Sequence, residues 1–134
     1  MSTIIDVRAG IKGRLNTIPH LNASGYIPNN IICPAAFPMP VSGAYGYTMA
    51  TNISFPMVII IVTDLAQSLE NAQRELDLYI EESGAKSIPA AIEGDATLGG
   101  SCSVCRVVGF EDYGFIVLNN LQYLGCRVRL EIFG

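Results

Sequence analysis

The chain is predicted to be an α+β protein: a mainly antiparallel or mixed β-sheet flanked by two or three α-helices, with an extended proline-rich arm or loop. Three observations lead there. Apolar residues recur at spacings of three and four in residues 4–18 and again in 65–80, as helices with one buried face require. Residues 47–63 and 121–133 alternate or run apolar as strands do. Three of the seven prolines crowd into residues 34–40, where they oppose both helix and central strand.

In order along the chain, Ile4, Val7, Ile11, Leu15 and Ile18 mark an amphipathic helix with Arg8, Lys12 and Arg14 between them. Gly10 and Gly13 each weaken it by roughly 1 kcal/mol relative to Ala, so it depends on docking, and Pro19 is expected to end it. Residues 22–28 read as a loop. Residues 31–40 carry a strand signal broken by Pro34, Pro38 and Pro40, which predicts an edge strand or an irregular arm. Residues 41–46 read as a loop tip. A long extended run follows over 47–63, buried on both faces from Val58 to Val62, with Pro56 at a bulge or at a change of pairing partner.

Asp64 with Gln67 suggests a capping box for the next helix, whose stripe is Leu65, Leu69, Ala72, Leu76 and Tyr79 or Ile80. Glu70 and Arg74 form a surface pair on it. Ser83-Gly84 closes that helix, Ser87 caps a shorter one over Ile88 to Glu93, and the glycines from Gly94 to Gly100 stop it. Val104–Phe110 and Phe115–Leu118 are expected as strands separated by a turn at Glu111–Gly114. Asn119-Asn120 then makes a tight hairpin into a last strand over 121–133. There Leu124, Cys126, Val128, Leu130 and Ile132 face one way, and Arg127, Arg129 and Glu131 the other.

Composition narrows the function. At 134 residues the chain suits one domain over 1–134. Only 15% of residues are charged, against about 25% in an ordinary soluble domain. A surface so short of charge suits burial by other subunits, the alternative being a compact, poorly soluble monomer. A net charge of −4 argues against specific nucleic-acid binding, although an acidic surface suits one past which DNA slides. The N-terminus lacks the pattern of a secretory signal, and the longest apolar run is too short to span a bilayer, so a cytoplasmic origin without membrane attachment is expected.

No constellation of residues builds an active site. Cys102-Ser-Val-Cys105 has the spacing of half a zinc site, but Cys33 and Cys126 stand alone and His20 is the sole histidine. Zinc, a disulfide and simple thiols are the open readings, with thiols favoured. Ser83 and Lys86 have the spacing of a Ser-x-x-Lys nucleophile without its companion motifs. Glu81-Glu82 and Glu111-Asp112 fall at expected helix ends and turns, where solvated acids are common. No catalytic residue, metal or cofactor is expected, and the chain is read as a structural protein rather than an enzyme.

Several stretches, taken in order, carry a resemblance. They are Ile11-Lys-Gly-Arg-Leu15; Gly25-Tyr-Ile-Pro28 with Pro34-Ala-Ala36; and Leu76-Asp-Leu-Tyr79. After these come Ser83-Gly84 with Ser87-Ile-Pro-Ala-Ala-Ile92, Asp95-Ala-Thr-Leu-Gly-Gly100, and Tyr123-Leu-Gly125 leading into the terminal strand. The series resembles the tail terminator proteins of long-tailed phages, especially those of actinobacteria, over nearly the whole chain. Cysteines in Ser101-Cys-Ser-Val-Cys105 depart from the small or acidic residues more usual in that family.

The resemblance implies a homo-oligomer, a six-membered ring at the tail side of the head–tail junction of a virion, assembled in the host cytoplasm. Such a ring caps the tail tube, stops polymerisation of the major tail tube protein and meets the head-side stopper, while DNA passes through. Candidate contacts to a neighbouring subunit or the tube are Pro34, Phe37, Pro38, Met39, Pro40, Tyr45 and Tyr47 in the arm. Arg127 and Arg129 are further candidates, for ion pairs between subunits. Rival readings are another head–tail connector, a stopper or adaptor, and, from a different class, a small ligand-binding or enzymatic α+β domain.

Overall fold

The computed structural model describes residues 4–19, 21–27, 31–40, 54–64, 68–81, 84, 86–95, 97–98, 100, 104–118 and 120–133. It contains α1 (Ile4–Leu15), β1 (Asn22–Ala23), β2 (Ala35–Pro40), β3 (Ser54–Thr63), α2 (Leu69–Ile80), α3 (Ile88–Glu93), β4 (Val104–Leu118) and β5 (Leu121–Phe133). The strands form one mixed sheet in the order β1-β2-β3-β5-β4, parallel between β1 and β2 and antiparallel elsewhere. The α+β reading therefore holds.

The core follows from the periodicities. Val7, Ile11 and Leu15 of α1, Ala72, Leu76 and Tyr79 of α2, and Ile88 and Ile92 of α3 pack on one sheet face. They meet Met57, Ile59 and Ile61 of β3 and Leu124, Cys126, Val128, Leu130 and Ile132 of β5. The intervening residues of β3, Val58, Ile60 and Val62, join Ala35, Phe37, Ile116 and Tyr123 in a smaller cluster. Since successive strand side chains point to opposite faces, the continuous apolar run of β3 is buried on both, as its sequence predicts.

Backbone register explains where the prolines fall. The Asn22 and Ser24 amides donate to the carbonyls of Pro34 and Ala36, so the even-numbered backbone groups here face β1 and the odd-numbered ones face β3. Pro34, Pro38 and Pro40 are all even, and their missing N–H groups cost the β2–β3 ladder nothing. Arg8 of α1 covers the same margin, donating from Nη1 to the carbonyls of Gly25 at 2.9 Å and Pro38 at 3.2 Å. Residues 35–40 are thus a sheet strand rather than an irregular arm, and residues 22–23, read as loop, form its short parallel neighbour. Pro56 marks no bulge. It pairs regularly with Glu131, one residue outside the last β2–β3 pair, Pro40 with Met57.

Three local expectations change. α1 ends at Leu15, four residues before Pro19, in a tightened turn where the Thr17 and Ile18 amides donate to the Arg14 and Leu15 carbonyls. Ser68, not Asp64, caps α2: its Oγ accepts from the Asn71 amide at 3.2 Å, and Gln67 of the expected capping box lies outside the described residues. Glu111–Gly114 is not a turn, because β4 runs unbroken from Val104 to Leu118 and absorbs extra residues at irregularities between Val107 and Gly109 and between Glu111 and Gly114. Asp112, with φ of 56°, supplies the left-handed backbone at the second.

Other expectations hold. Ser87 caps α3, its Oγ accepting from the Ala90 amide at 3.1 Å and donating to the Glu81 carbonyl. Glu70 and Arg74 pair at 3.6 Å. Leu118 pairs with Leu121 across a two-residue hairpin whose Asn120 has φ of 65°. Among the described residues no helix is long and apolar enough to cross a membrane.

Candidate contact surfaces

The structure divides the expected contact residues. Phe37 is fully buried by its own chain and Pro38 is buried beside it, so neither projects from an arm. Met39 is half-buried against the second cluster and Pro34 is half-buried. The Pro40 side chain, Tyr45, Tyr47 and the whole loop over 41–46 lie outside the described residues, as do His20, Ser83 and Cys102. The physical reason for the correction at Phe37 is register. Odd-numbered β2 residues turn their side chains onto Val58, Ile60 and Val62.

Arg127 and Arg129 do lie on the face of β5 away from the helices, and both find partners within the chain. Arg127 donates to Asp112 Oδ2 at 2.9 Å, and Arg129 stands 3.4 Å from Glu111 Oε1. These pairs run across strands within one chain. Being half-exposed, each contributes on the order of 0.2–1 kcal/mol. They also engage the two carboxylates that the sequence offered as an acid pair.

A different surface emerges along β4, the outermost strand, whose far edge is unpaired among the described residues. Phe110 pairs with Val128 and Phe115 with Leu124, both core residues on the helix side, so the two rings project from that face at the margin of the sheet. There they stay 55% and 59% exposed, Val108 and Val117 are exposed with them, and Leu121, paired with Leu118 of the second cluster, is exposed on the other face. Tyr113 bridges this strip to α2, its hydroxyl donating to Asp77 Oδ1 at 2.9 Å.

Beside Phe110, a groove of about 470 Å³ runs between the end of α2, α3 and β4. It is lined by Ile80, Pro89, Val107, Phe110 and Val128, with Glu93 at its mouth. Sequence reasoning missed this surface. Its one local signal is that Val107-Val108 and Phe115-Ile-Val-Leu118 are apolar without alternation, in a strand whose outer edge is unpaired among the described residues.

Of the described cysteines, Cys105 and Cys126 are buried thiols and Cys33 is half-buried. Burial, then the Asp77 carboxylate, pushes Cys126 up from 9.0 to about 12. Burial, then Asp64 and Glu75, pushes Cys33 up to about 11. Neither holds a thiolate at neutral pH, the form that attacks or ligates. Cys105 is buried in the helix-side core. Among the described residues no three His, Cys, Asp or Glu side chains gather as metal ligands. No protein-family model and no curated protein matches the chain.

Proposed function

We propose that this chain is a structural assembly protein, the tail terminator of a long-tailed phage. In this reading copies of the chain form a six-membered ring that caps the finished tail tube, halts addition of tube protein and presents its other face to the head-side stopper. The reading involves no catalytic step and no cofactor. The observation that carries it is the ordered series of stretches from Ile11-Lys-Gly-Arg-Leu15 to Tyr123-Leu-Gly125, which spans nearly the whole chain. The shortage of charge and the apolar strip on β4 support it, since both suit a protein whose surface is covered by others.

The test is to polymerise purified tail tube protein with and without this chain and to measure tube lengths by negative-stain microscopy. Arrest of growth with a ring-shaped cap at the tube end is expected. Unchanged length distributions at equimolar ratio overturn the reading. Binding to head-side connectors without arrest of the tube assigns the chain to the stopper or adaptor role instead.

A further inference from the structure

We infer that copies of this chain associate head to tail, the β4 margin of one subunit packing against the β1 margin of the next. The inference rests on the proposed ring only for closure; the two surfaces are read from the fold.

The first surface is the β4 strip. The exposed portions of Val108, Phe110, Tyr113, Phe115 and Val117 amount to roughly 500 Å². That lies in the upper part of the range for the largest apolar patch on a monomer, about 300–600 Å². It also makes up most of the roughly 800 Å² that each partner contributes to a stable interface.

The second surface lies at the opposite edge of the same sheet. Tyr26 and Ile27 follow β1 and Ile32 precedes β2, and all three are exposed, Ile32 at 63%. The Ile32 carbonyl and the Tyr26 ring are held in place. Asn22 Nδ2 donates to the Ile32 carbonyl at 3.0 Å, and the Arg8 guanidinium stacks 4.4 Å from the Tyr26 ring centre. No Asp, Glu, Lys or Arg occurs between Arg14 and Asp64, so the segment itself brings no charge to this margin, where Arg8 stacks on Tyr26. On the β4 side, Glu111 and Asp112 are already neutralised by Arg129 and Arg127.

Two distinct apolar surfaces at opposite edges define a heterologous contact, which generates a ring when the rotation per step closes. An isologous contact of β4 on β4 would leave Tyr26, Ile27 and Ile32 uncovered. The contact is made by side chains and not by a continued β-ladder. β4 carries two irregularities in its register, and β2 lacks amide donors at Pro38 and Pro40 on its outer edge.

The test uses the full chain with Val117→Glu and Ile32→Glu, read by light scattering and sedimentation. Both sites are exposed, so thermal melts close to wild type are expected, and Val117→Ser and Ile32→Ser give weaker effects in the same direction should a charge disturb folding. Each glutamate variant alone is expected to be monomeric where wild type assembles, with self-affinity lowered at least tenfold. An equal mixture is expected to form a one-to-one dimer, because one intact contact survives between the two. An Ile32→Glu protein that assembles like wild type overturns the head-to-tail arrangement, as does a mixture that stays monomeric. Wild type that remains monomeric at every concentration also overturns it, while arrest of tube growth by that same protein would leave the terminator reading standing.

Discussion

Gly125 sits where β5 passes between Val62 of β3 and Gly114 of β4, and a single methyl group there tests how tightly the sheet is closed. A Cβ at this position would overlap the Ile61 carbonyl oxygen, stand 3.2 Å from the Ile61 carbonyl carbon and 2.9 Å from Ile116 Cδ1. The Ile116 methyl can turn away, but the carbonyl belongs to the backbone of the central strand and can yield only if β3 and β5 part. Overfilling a packed core costs about 1–3 kcal/mol. The backbone conflict places Gly125→Ala at the upper end, about 3 kcal/mol, or a fall in Tm of roughly 10–15 °C for a domain of this size.

Gly13→Ala is the matched control. Nothing lies within 4 Å of its Cβ and it sits in α1, so the same change there should stabilise by about 0.5–1 kcal/mol. Urea unfolding followed by circular dichroism measures both. A Gly125→Ala protein within 0.5 kcal/mol of wild type, or two changes of the same sign, would refute the close approach of β3 and β5.

Three further outcomes are expected. Ser87→Ala removes the α3 cap and a buried hydroxyl that donates to Glu81, and should lower stability by about 1–2 kcal/mol in the same urea assay. Cys126 and Cys33 keep their protons in the folded chain to about pH 12 and 11, whereas the unfolded chain releases them near 9. The folded state therefore binds more protons above pH 9, and its stability, intact below pH 9, should fall as the pH rises toward 12; the Tyr79 phenol, pushed to about 12 by burial and then by Glu75, adds to the loss, and melts from pH 8 to 11 read it. Deleting residues 42–46 should leave a folded protein that no longer caps tails, and tails of normal length with that variant would remove the loop from the contact set.

Much of the fold was legible because it is decided locally. The stripe Ala72, Leu76 and Tyr79 needs only the helical period, the Ser87 cap needs only a hydroxyl before Ile88-Pro89, and the alternation of β5 needs only the strand pleat. The contact surface was much less so. Phe37 looked available in a proline-broken segment, yet the prolines occupy alternate positions that leave the β2–β3 ladder whole and turn Phe37 inward. Arg127 and Arg129 were correctly placed on the outer face, but their partners lie on the neighbouring strand.

The amino-acid sequence by itself determined the class of fold, the three helices, the doubly buried β3 and the polar and apolar faces of β5, because periodicity and capping act over a few residues. Tertiary structure alone decided that Glu111–Gly114 is an irregularity inside one long strand, since β5 pairs continuously on both sides of it. It also decided that β4 is the outermost strand among the described residues and leaves Phe110, Phe115 and Val117 exposed. Whether a strand has one neighbour or two depends on strand order, which long-range pairing sets and no local pattern of residues encodes.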